Sequence, residues 1–131
     1  MRREDFMIDH VTISVSNVEQ SKRFYEGAFL PLGYEVSFGK EGIFWAFDIG
    51  NGMLFEISSA RKENSPTSVH ITFRVKSHDK VQQFYKAAIE AGASDNGAPG
   101  PRPNYTKNYY ACFVLDPDGH NIEAVFDVWN A

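Results

Sequence analysis

The chain repeats itself, and this repeat restricts the possible folds more than any other feature of the sequence. The segment His10-Val-Thr-Ile-Ser-Val-Ser16 resembles His70-Ile-Thr-Phe-Arg-Val-Lys76. Farther along, Gly52-Met-Leu-Phe-Glu56 aligns with Gly119-His-Asn-Ile-Glu123. Self-similarity at a nearly fixed spacing indicates two copies of one supersecondary unit, packed as neighbours.

Each copy shows the same order of predicted elements, namely a strand, a helix and three short strands. The opening strands, residues 8–15 and 69–75, alternate apolar with polar side chains, as half-buried strands do. We therefore expect an α+β fold with one domain over residues 1–131. Two tandem βαβββ modules, at 7–60 and 68–128, would form a cleft-shaped mixed sheet. The polar, proline-containing stretch between the modules is the expected linker.

The ends of the predicted helices and hairpins carry recognisable signals. Ser16 and Glu19 have capping-box spacing before the first helix, and Ser77 is the expected cap of the second. The Asn-Gly pair at 51–52 predicts a two-residue hairpin turn, and Asp-Pro-Asp-Gly at 116–119 predicts another tight turn. These signals define where each module changes direction.

Four candidate metal ligands fall at equivalent places in the two modules. Side chains alternate between the faces of a strand, so His10 and His70 face away from the helices that cover their apolar neighbours. The same alternation places Glu56 and Glu123, in the last strand of each module, on the face away from the helix. If the modules pack as pseudo-symmetric partners, the two faces line one cleft.

Two imidazoles with one or two carboxylates are a typical ligand set for a first-row divalent metal. Taken singly, such a histidine or glutamate is more often structural or solvated. The occurrence of all four at equivalent positions of a repeat favours a metal site. His10, His70 and Glu123 alone would leave positions open for substrate or oxygen, as iron enzymes do. Adding Glu56 gives a four-ligand site for zinc, nickel, cobalt or manganese.

Composition and charge exclude several classes of function. The chain of 131 residues is 43% hydrophobic, which is enough for a core, and its net charge of -4 shows no basic stripe. No nucleic-acid partner is therefore expected. No apolar run has the length of a membrane span, so no membrane partner is expected. The single cysteine, Cys112, excludes an internal disulfide and favours the cytoplasm; its apolar strand predicts a buried thiol.

Several motifs together resemble one family. Ile8-Asp-His-Val-Thr opens the first module, Phe24-Tyr25 lies in its helix, and Val69-His-Ile-Thr-Phe opens the second module. With Asp116-Pro-Asp-Gly-His-Asn-Ile-Glu123, they are similar to the vicinal oxygen chelate superfamily, which includes glyoxalase I, extradiol dioxygenases and bleomycin-resistance proteins. The resemblance covers nearly the whole chain.

The resemblance implies a metal chemistry. The positions that hold the metal in bacterial glyoxalase I correspond here to His10, Glu56, His70 and Glu123. There the metal chelates adjacent substrate oxygens, while a carboxylate, here Glu123 or Glu56, moves the proton beside a carbonyl. Two positions depart from the glyoxalase I pattern: Ser14 replaces an arginine that holds the glutathione carboxylate, and Ala60 replaces a common asparagine. Glutathione is therefore not implied as the substrate handle.

Candidate substrate-binding residues lie outside the ligand set. The 96–110 segment, rich in proline and glycine, is expected to be a long exposed loop that caps the site. Arg102, Tyr105 and Lys107 would then contact an anionic substrate; an ordinary surface loop is the alternative. Arg74, four residues after His70 on the same strand face, would bind a carboxylate or form an exposed salt bridge.

Three functions are open. The leading hypothesis is a metal-dependent lyase or isomerase of the glyoxalase type, acting on a small vicinally oxygenated molecule by proton abstraction beside a carbonyl. The alternatives are an Fe(II) extradiol-type dioxygenase and a metal-free small-molecule binding or resistance protein. The family resemblance also implies a homodimer.

Overall fold

In the computed structural model, which describes residues 8–60 and 67–128, each module is a four-stranded sheet covered on one face by a helix. The first module contains β1 (His10–Val15), α1 (Val18–Phe29), a 3-10 turn (Leu30–Leu32), β2 (Glu35–Lys40), β3 (Phe44–Asp48) and β4 (Leu54–Ser59). The second contains β5 (His70–Arg74), α2 (His78–Glu90), β6 (Ser94–Pro101), β7 (Tyr110–Leu115) and β8 (Asn121–Phe126). Most of the predicted linker, residues 61–66, lies outside the described residues.

The two sheets have the same topology. Their strand orders, β1-β4-β3-β2 and β5-β8-β7-β6, place the first and last strands of each module side by side and parallel, and the other pairs antiparallel. This register brings Thr12 opposite Glu56 in one sheet and Thr72 opposite Glu123 in the other. Register shifts interrupt the pairing of both outer strands, β2 and β6. The predicted duplicated α+β architecture with mixed sheets is confirmed.

The apolar side of each alternating strand faces the helices. In β1, Ile13 and Val15 are buried, whereas the intervening polar side chains are exposed. The core is continuous between the modules, because Phe29 of α1 packs edge-on against Phe73 of β5 with ring centroids 5.3 Å apart. The helix-covered faces therefore meet in one core, and the opposite faces of both sheets stay open.

The first helix begins one residue later than predicted, with Asn17 as its cap. The Ser16 amide instead donates to a carboxylate of the second module, and the Glu19 carboxylate accepts two hydrogen bonds from the β2–β3 hairpin. The capping-box prediction is wrong because tertiary contacts use both partners, whereas Ser77 caps α2 as predicted. In the described part of the chain, no helix has the length and apolar character needed to cross a membrane.

Both predicted turns form. Asn51 and Gly52 have φ angles of 55° and 80°, the left-handed values that a two-residue hairpin turn of this type requires. Near the end of the chain, the Gly119 amide donates to the carbonyl of Asp116 at 2.9 Å. These turns bring β4 and β8 back into their sheets, so that each glutamate returns beside the strand that carries the histidine.

Candidate functional site

The second sheet carries a compact group of polar side chains on the face away from α2. Nε2 of His70 lies 2.9 Å from Oε1 of Glu123, and the Thr72 hydroxyl donates to the same oxygen at 2.8 Å. The parallel register of β5 and β8 brings these side chains onto one patch. Alternation also places Thr72 on this face, yet sequence reasoning did not include it among the site residues.

Glu123 is buried although it lies on the face away from the helix: only 2% of its surface is exposed. The Tyr109 hydroxyl donates to Oε2 of Glu123 at 2.5 Å, so both carboxylate oxygens accept hydrogen bonds. Burial, followed by the hydrogen bond to Glu123, raises the pKa of Tyr109, which therefore stays a neutral donor. A buried carboxylate with these donors does not carry the cost of unsatisfied acceptors.

The first sheet carries the matching group in a more open setting. The Thr12 hydroxyl donates to Oε1 of Glu56 at 3.2 Å. Nδ1 of His10 lies 3.0 Å from Oδ1 of Asp9, a contact that helps to orient the ring. Glu56 is half-buried and His10 is exposed. The Thr12–Glu56 contact is the counterpart of Thr72–Glu123, as the repeat predicts.

The two groups do not converge within one chain. Across residues 8–60 and 67–128, no three histidine, cysteine, aspartate or glutamate side chains lie close enough together to hold a metal ion. Each open face supplies one histidine and one glutamate, which fit a divalent metal by their chemistry but supply half of a four-ligand set. Within the described residues, the four predicted ligands are therefore not gathered into one group. We call these groups the first half-site (His10, Glu56) and the second half-site (His70, Glu123).

The predicted capping loop is shorter than expected. Strand β6 runs to Pro101 and pairs with β7 through register shifts that accommodate its glycines and prolines, so the connecting loop spans residues 102–109 rather than 96–110. The Arg102 amide closes this loop on the Tyr109 carbonyl at 2.7 Å. The Arg102 guanidinium donates to the carbonyls of Gly100 and Ala98 at 2.8 and 2.9 Å, and so holds the loop to its own strand.

The other three residues predicted to contact the substrate, Arg74, Tyr105 and Lys107, lie in different parts of the second module. Arg74 lies on the strand face of His70, and its guanidinium donates to the Asp127 carbonyl at 3.1 Å. Tyr105 is 54% exposed and packs edge-on against Tyr109. Lys107 lines a cavity of about 420 Å³ that also includes the stacked rings of His78 and Tyr110, on the helix side of the second sheet. Arg74 is therefore the predicted contact that shares a strand and a face with a candidate ligand.

The Asp-Pro-Asp-Gly-His motif joins the modules. His120 is fully buried; the Val69 amide donates to its Nδ1 at 3.1 Å, so its Nε2 carries the proton and donates to the Ser14 carbonyl at 2.8 Å. The Tyr25 hydroxyl donates to the Asp116 carboxylate at 2.5 Å. Burial and the Asp116 charge raise the pKa of Tyr25 well above its ordinary value. Sequence reasoning left His120 without a role.

Cys112 is fully buried in β7, as its apolar neighbours predict. Burial raises the pKa of its thiol to about 12. A thiol that stays protonated and shielded from solvent is a poor nucleophile, so Cys112 belongs to the core and not to the candidate site.

Comparison with known sequences gives one family. Residues 7–124 match the profile of the Glyoxalase/Bleomycin resistance protein/Dioxygenase superfamily. The metallothiol transferase FosB of Shouchella clausii (strain KSM-K16) is 29% identical over 120 residues, which cover 88% of this chain and 77% of FosB.

Solved structures share the fold. A glyoxalase/bleomycin resistance protein from Albidiferax ferrireducens T118 superposes with a TM-score of 0.79 at 25% identity, over 93% of this chain and 99% of its own. Lactoylglutathione lyase from Agrobacterium tumefaciens has a TM-score of 0.71 at 16% identity, over 94% of this chain and 96% of its own. The second likeness is one of fold alone.

Proposed function

This chain belongs to the Glyoxalase/Bleomycin resistance protein/Dioxygenase superfamily, and from that premise we propose that it is a divalent-metal-dependent enzyme acting on a small vicinally oxygenated substrate. One observation carries the proposal: each open face carries a histidine and a glutamate, and in the second sheet His70 lies 2.9 Å from Glu123. This donor set suits zinc, nickel, manganese or iron. The similar FosB is by name a metallothiol transferase, which supports a metal-dependent chemistry.

The proposal includes a homodimer that completes the site. Since each chain presents two separate half-sites, the first half-site of one copy would meet the second half-site of the other, and a two-fold axis would generate two equivalent sites. The first sheet has an apolar side chain suited to such a contact. Phe38 is 50% exposed and lies on the face of Glu56, through its register with Ala46.

The four proposed metal ligands would come from both copies. His10 and Glu56 of one copy, with His70 and Glu123 of the other, would hold the metal. When bound, the metal supplies a Lewis acid that polarises a substrate oxygen. Hydrogen bonds to both oxygens of Glu123 fix its orientation, which suits it to the role of a metal ligand.

Glu56 is the better proton carrier. Thr12 engages its Oε1, and Oε2 accepts no hydrogen bond from the residues that the structure describes. Glu56 would take the proton from a hydroxyl-bearing carbon beside a carbonyl, and the electron pair of that C–H bond would move toward the carbonyl oxygen. The proton would then return to the former carbonyl carbon, while the hydroxyl proton would pass to the former carbonyl oxygen, so that the hydroxyl becomes the new carbonyl. The net reaction is an isomerisation of a glyoxalase-like kind, with all atoms conserved.

Four residues are proposed to contact the substrate. Arg74 is the first choice for an anionic group, because it shares a strand face with His70. Tyr105 follows, since its exposed ring lies against Tyr109, which touches Glu123. Arg102 and Lys107 lie in the same loop as Tyr109, and Lys107 lines a cavity that Tyr109 also lines; both would contribute positive charge at the edge of the site.

A cytoplasmic location is also part of the proposal. The single cysteine, Cys112, is buried and cannot form an internal disulfide, so the fold is compatible with a reducing compartment.

A second candidate is thiol transfer to an oxygenated electrophile. It is favoured by the 29% identity to FosB. In that reaction a thiolate co-substrate attacks an electrophilic carbon, the carbon–oxygen bond breaks, and the oxygen leaves with a proton. The two other functions, an Fe(II) dioxygenase and a metal-free binding protein, are distinguished by which metal the protein binds.

The decisive experiment is elemental analysis of protein purified anaerobically without chelators, beside a His10→Ala/Glu123→Ala double variant. We expect about one metal ion per chain in the native protein and its loss in the variant. His78→Ala, which removes an exposed histidine outside the half-sites, is the matched control and should retain the metal. Zinc, nickel or manganese would favour the isomerase and transferase chemistries, whereas oxygen-sensitive iron would favour a dioxygenase. No stoichiometric metal after repeated add-back would overturn the proposal and favour a binding protein.

A further inference from the structure

The two oxygens of Glu123 have different partners. Oε1 lies against the His70 ring and accepts from Thr72, whereas Oε2 accepts from Tyr109 at 2.5 Å. Since His70 is a proposed ligand, the side of Oε1 is the side on which a metal would bind. Tyr109 therefore holds the other carboxylate oxygen, which makes no hydrogen bond with His70 or Thr72.

Tyr109 is held in place by contacts on both sides of its loop. Its carbonyl accepts from the Arg102 amide at 2.7 Å, and its amide donates to the Thr106 carbonyl at 3.3 Å. The Thr106 hydroxyl in turn donates to the Asp127 carboxylate at 3.0 Å, just beyond the strand that carries Glu123. The phenol is thus aimed at Glu123 by a loop that is attached to the sheet at both ends.

We propose that Tyr109 is a positioning residue that restricts Glu123 to binding the metal through one oxygen, and so keeps a coordination position open for the substrate. This inference rests on the proposed metal site. A carboxylate near a divalent ion coordinates through one oxygen or through two, and an outer hydrogen bond on one oxygen favours the first mode. Without the phenol, Oε2 would be released and would compete with substrate oxygens for the metal.

The test compares Tyr109→Phe with Tyr110→Phe in the full-length protein loaded with Co²⁺. Tyr110→Phe removes a phenol at the next position, but that phenol accepts from Gln82 and lies on the helix side of the sheet. The readouts are the dissociation constant for Co²⁺, the visible absorption spectrum of the bound ion, and the affinity of the complex for acetohydroxamate, a small ligand with two adjacent oxygens.

We expect Tyr109→Phe to bind Co²⁺ at least as tightly as the native protein, with an altered visible spectrum, and to bind acetohydroxamate about tenfold more weakly because Oε2 occupies the position that the ligand oxygens need. Tyr110→Phe should match the native protein in all three. A native spectrum and a native acetohydroxamate affinity in Tyr109→Phe would overturn the inference while the metal site stands, and equal losses of that affinity in both variants would assign the effect to general loosening of the loop and also overturn it. If the native protein binds no Co²⁺, the proposed function fails and the inference fails with it.

Discussion

Nε2 of His120 donates a hydrogen bond of 2.8 Å to the carbonyl oxygen of Ser14, across the boundary between the two modules. The other ring nitrogen accepts from the Val69 amide, just before β5. One neutral, buried imidazole thus ties the end of β1 to the start of the second module. The relative position of the two half-sites in a chain depends in part on this contact.

Replacing His120 should therefore destabilise the whole chain. His120→Ala removes both hydrogen bonds and leaves a cavity in place of a fully buried ring, and we expect the free energy of unfolding to fall by about 3 kcal/mol. Urea unfolding followed by circular dichroism measures this loss. His78→Ala removes only an exposed ring stacked on Tyr110, so the free energy of unfolding should fall by about 1 kcal/mol, well below the loss in His120→Ala. Equal unfolding midpoints for the two variants would contradict the bridging role.

The buried Tyr25–Asp116 hydrogen bond should also contribute to stability. Tyr25→Phe keeps the ring and removes the donor, so one oxygen of a buried carboxylate loses its partner, and we expect a loss of about 2 kcal/mol. Tyr34→Phe is the control, because the Tyr34 hydroxyl makes no hydrogen bond within residues 8–60 and 67–128. Thermal or urea unfolding of both variants would reveal the difference, and a loss in Tyr34→Phe as large as that in Tyr25→Phe would argue against it.

Cys112 should make stability fall at alkaline pH. Its thiol has a pKa of about 12 in the folded protein, raised from 9.0 by burial, so the unfolded chain loses this proton first as the pH rises. The contribution of the raised pKa is fully present below about pH 9 and is lost toward pH 12. The stability of the native protein relative to Cys112→Ala should therefore fall by about 1.4 kcal/mol per pH unit in this window. Urea unfolding of both proteins at about pH 8 and pH 10 tests this, and a constant difference would contradict it.

Mixing two variants that each lack a metal ligand should restore metal binding if the half-sites meet across a dimer. His10→Ala removes a ligand from the first half-site, and Glu123→Ala removes one from the second. In a dimer of one chain of each kind, one site has all four ligands and the other site lacks both of the replaced residues. Random exchange makes half of the dimers mixed, and we expect about a quarter of the native metal content after denaturation and joint refolding. Each variant refolded alone is the control. Recovery no greater than in those controls would show that the ligands do not combine between chains.

The repeat and the period-two alternation predict most of the fold, because both are local properties that burial enforces. Ile13 and Val15 lie in the core, and the polar side chains between them lie on the open face, as that pattern requires. The same reasoning places both histidine–glutamate pairs on open faces. It does not predict whether the two faces of a chain converge, because module packing is determined by three-dimensional contacts such as Phe29 against Phe73.

Other features are hidden from the sequence for identifiable reasons. His120 binds backbone groups, one of them 106 positions away, and every residue offers such groups, so no side-chain pattern marks the partner. Tyr109 lies in an irregular loop, where neither the helical nor the strand period applies. Ser16 and Asn17 are both good helix caps by type, and the choice between them depends on the Asp118 carboxylate that the second module brings to the Ser16 amide.

The irregular outer strands have a consequence for solubility. An exposed strand edge offers a row of unpaired amides and carbonyls to which another chain can add a strand. Strand β6 carries Pro99 and Pro101, which lack amide protons, and both β6 and β2 contain register shifts that distort the edge. If two copies meet through their open faces, as proposed, these edges make strand-by-strand addition of further copies into fibrous aggregates less favourable.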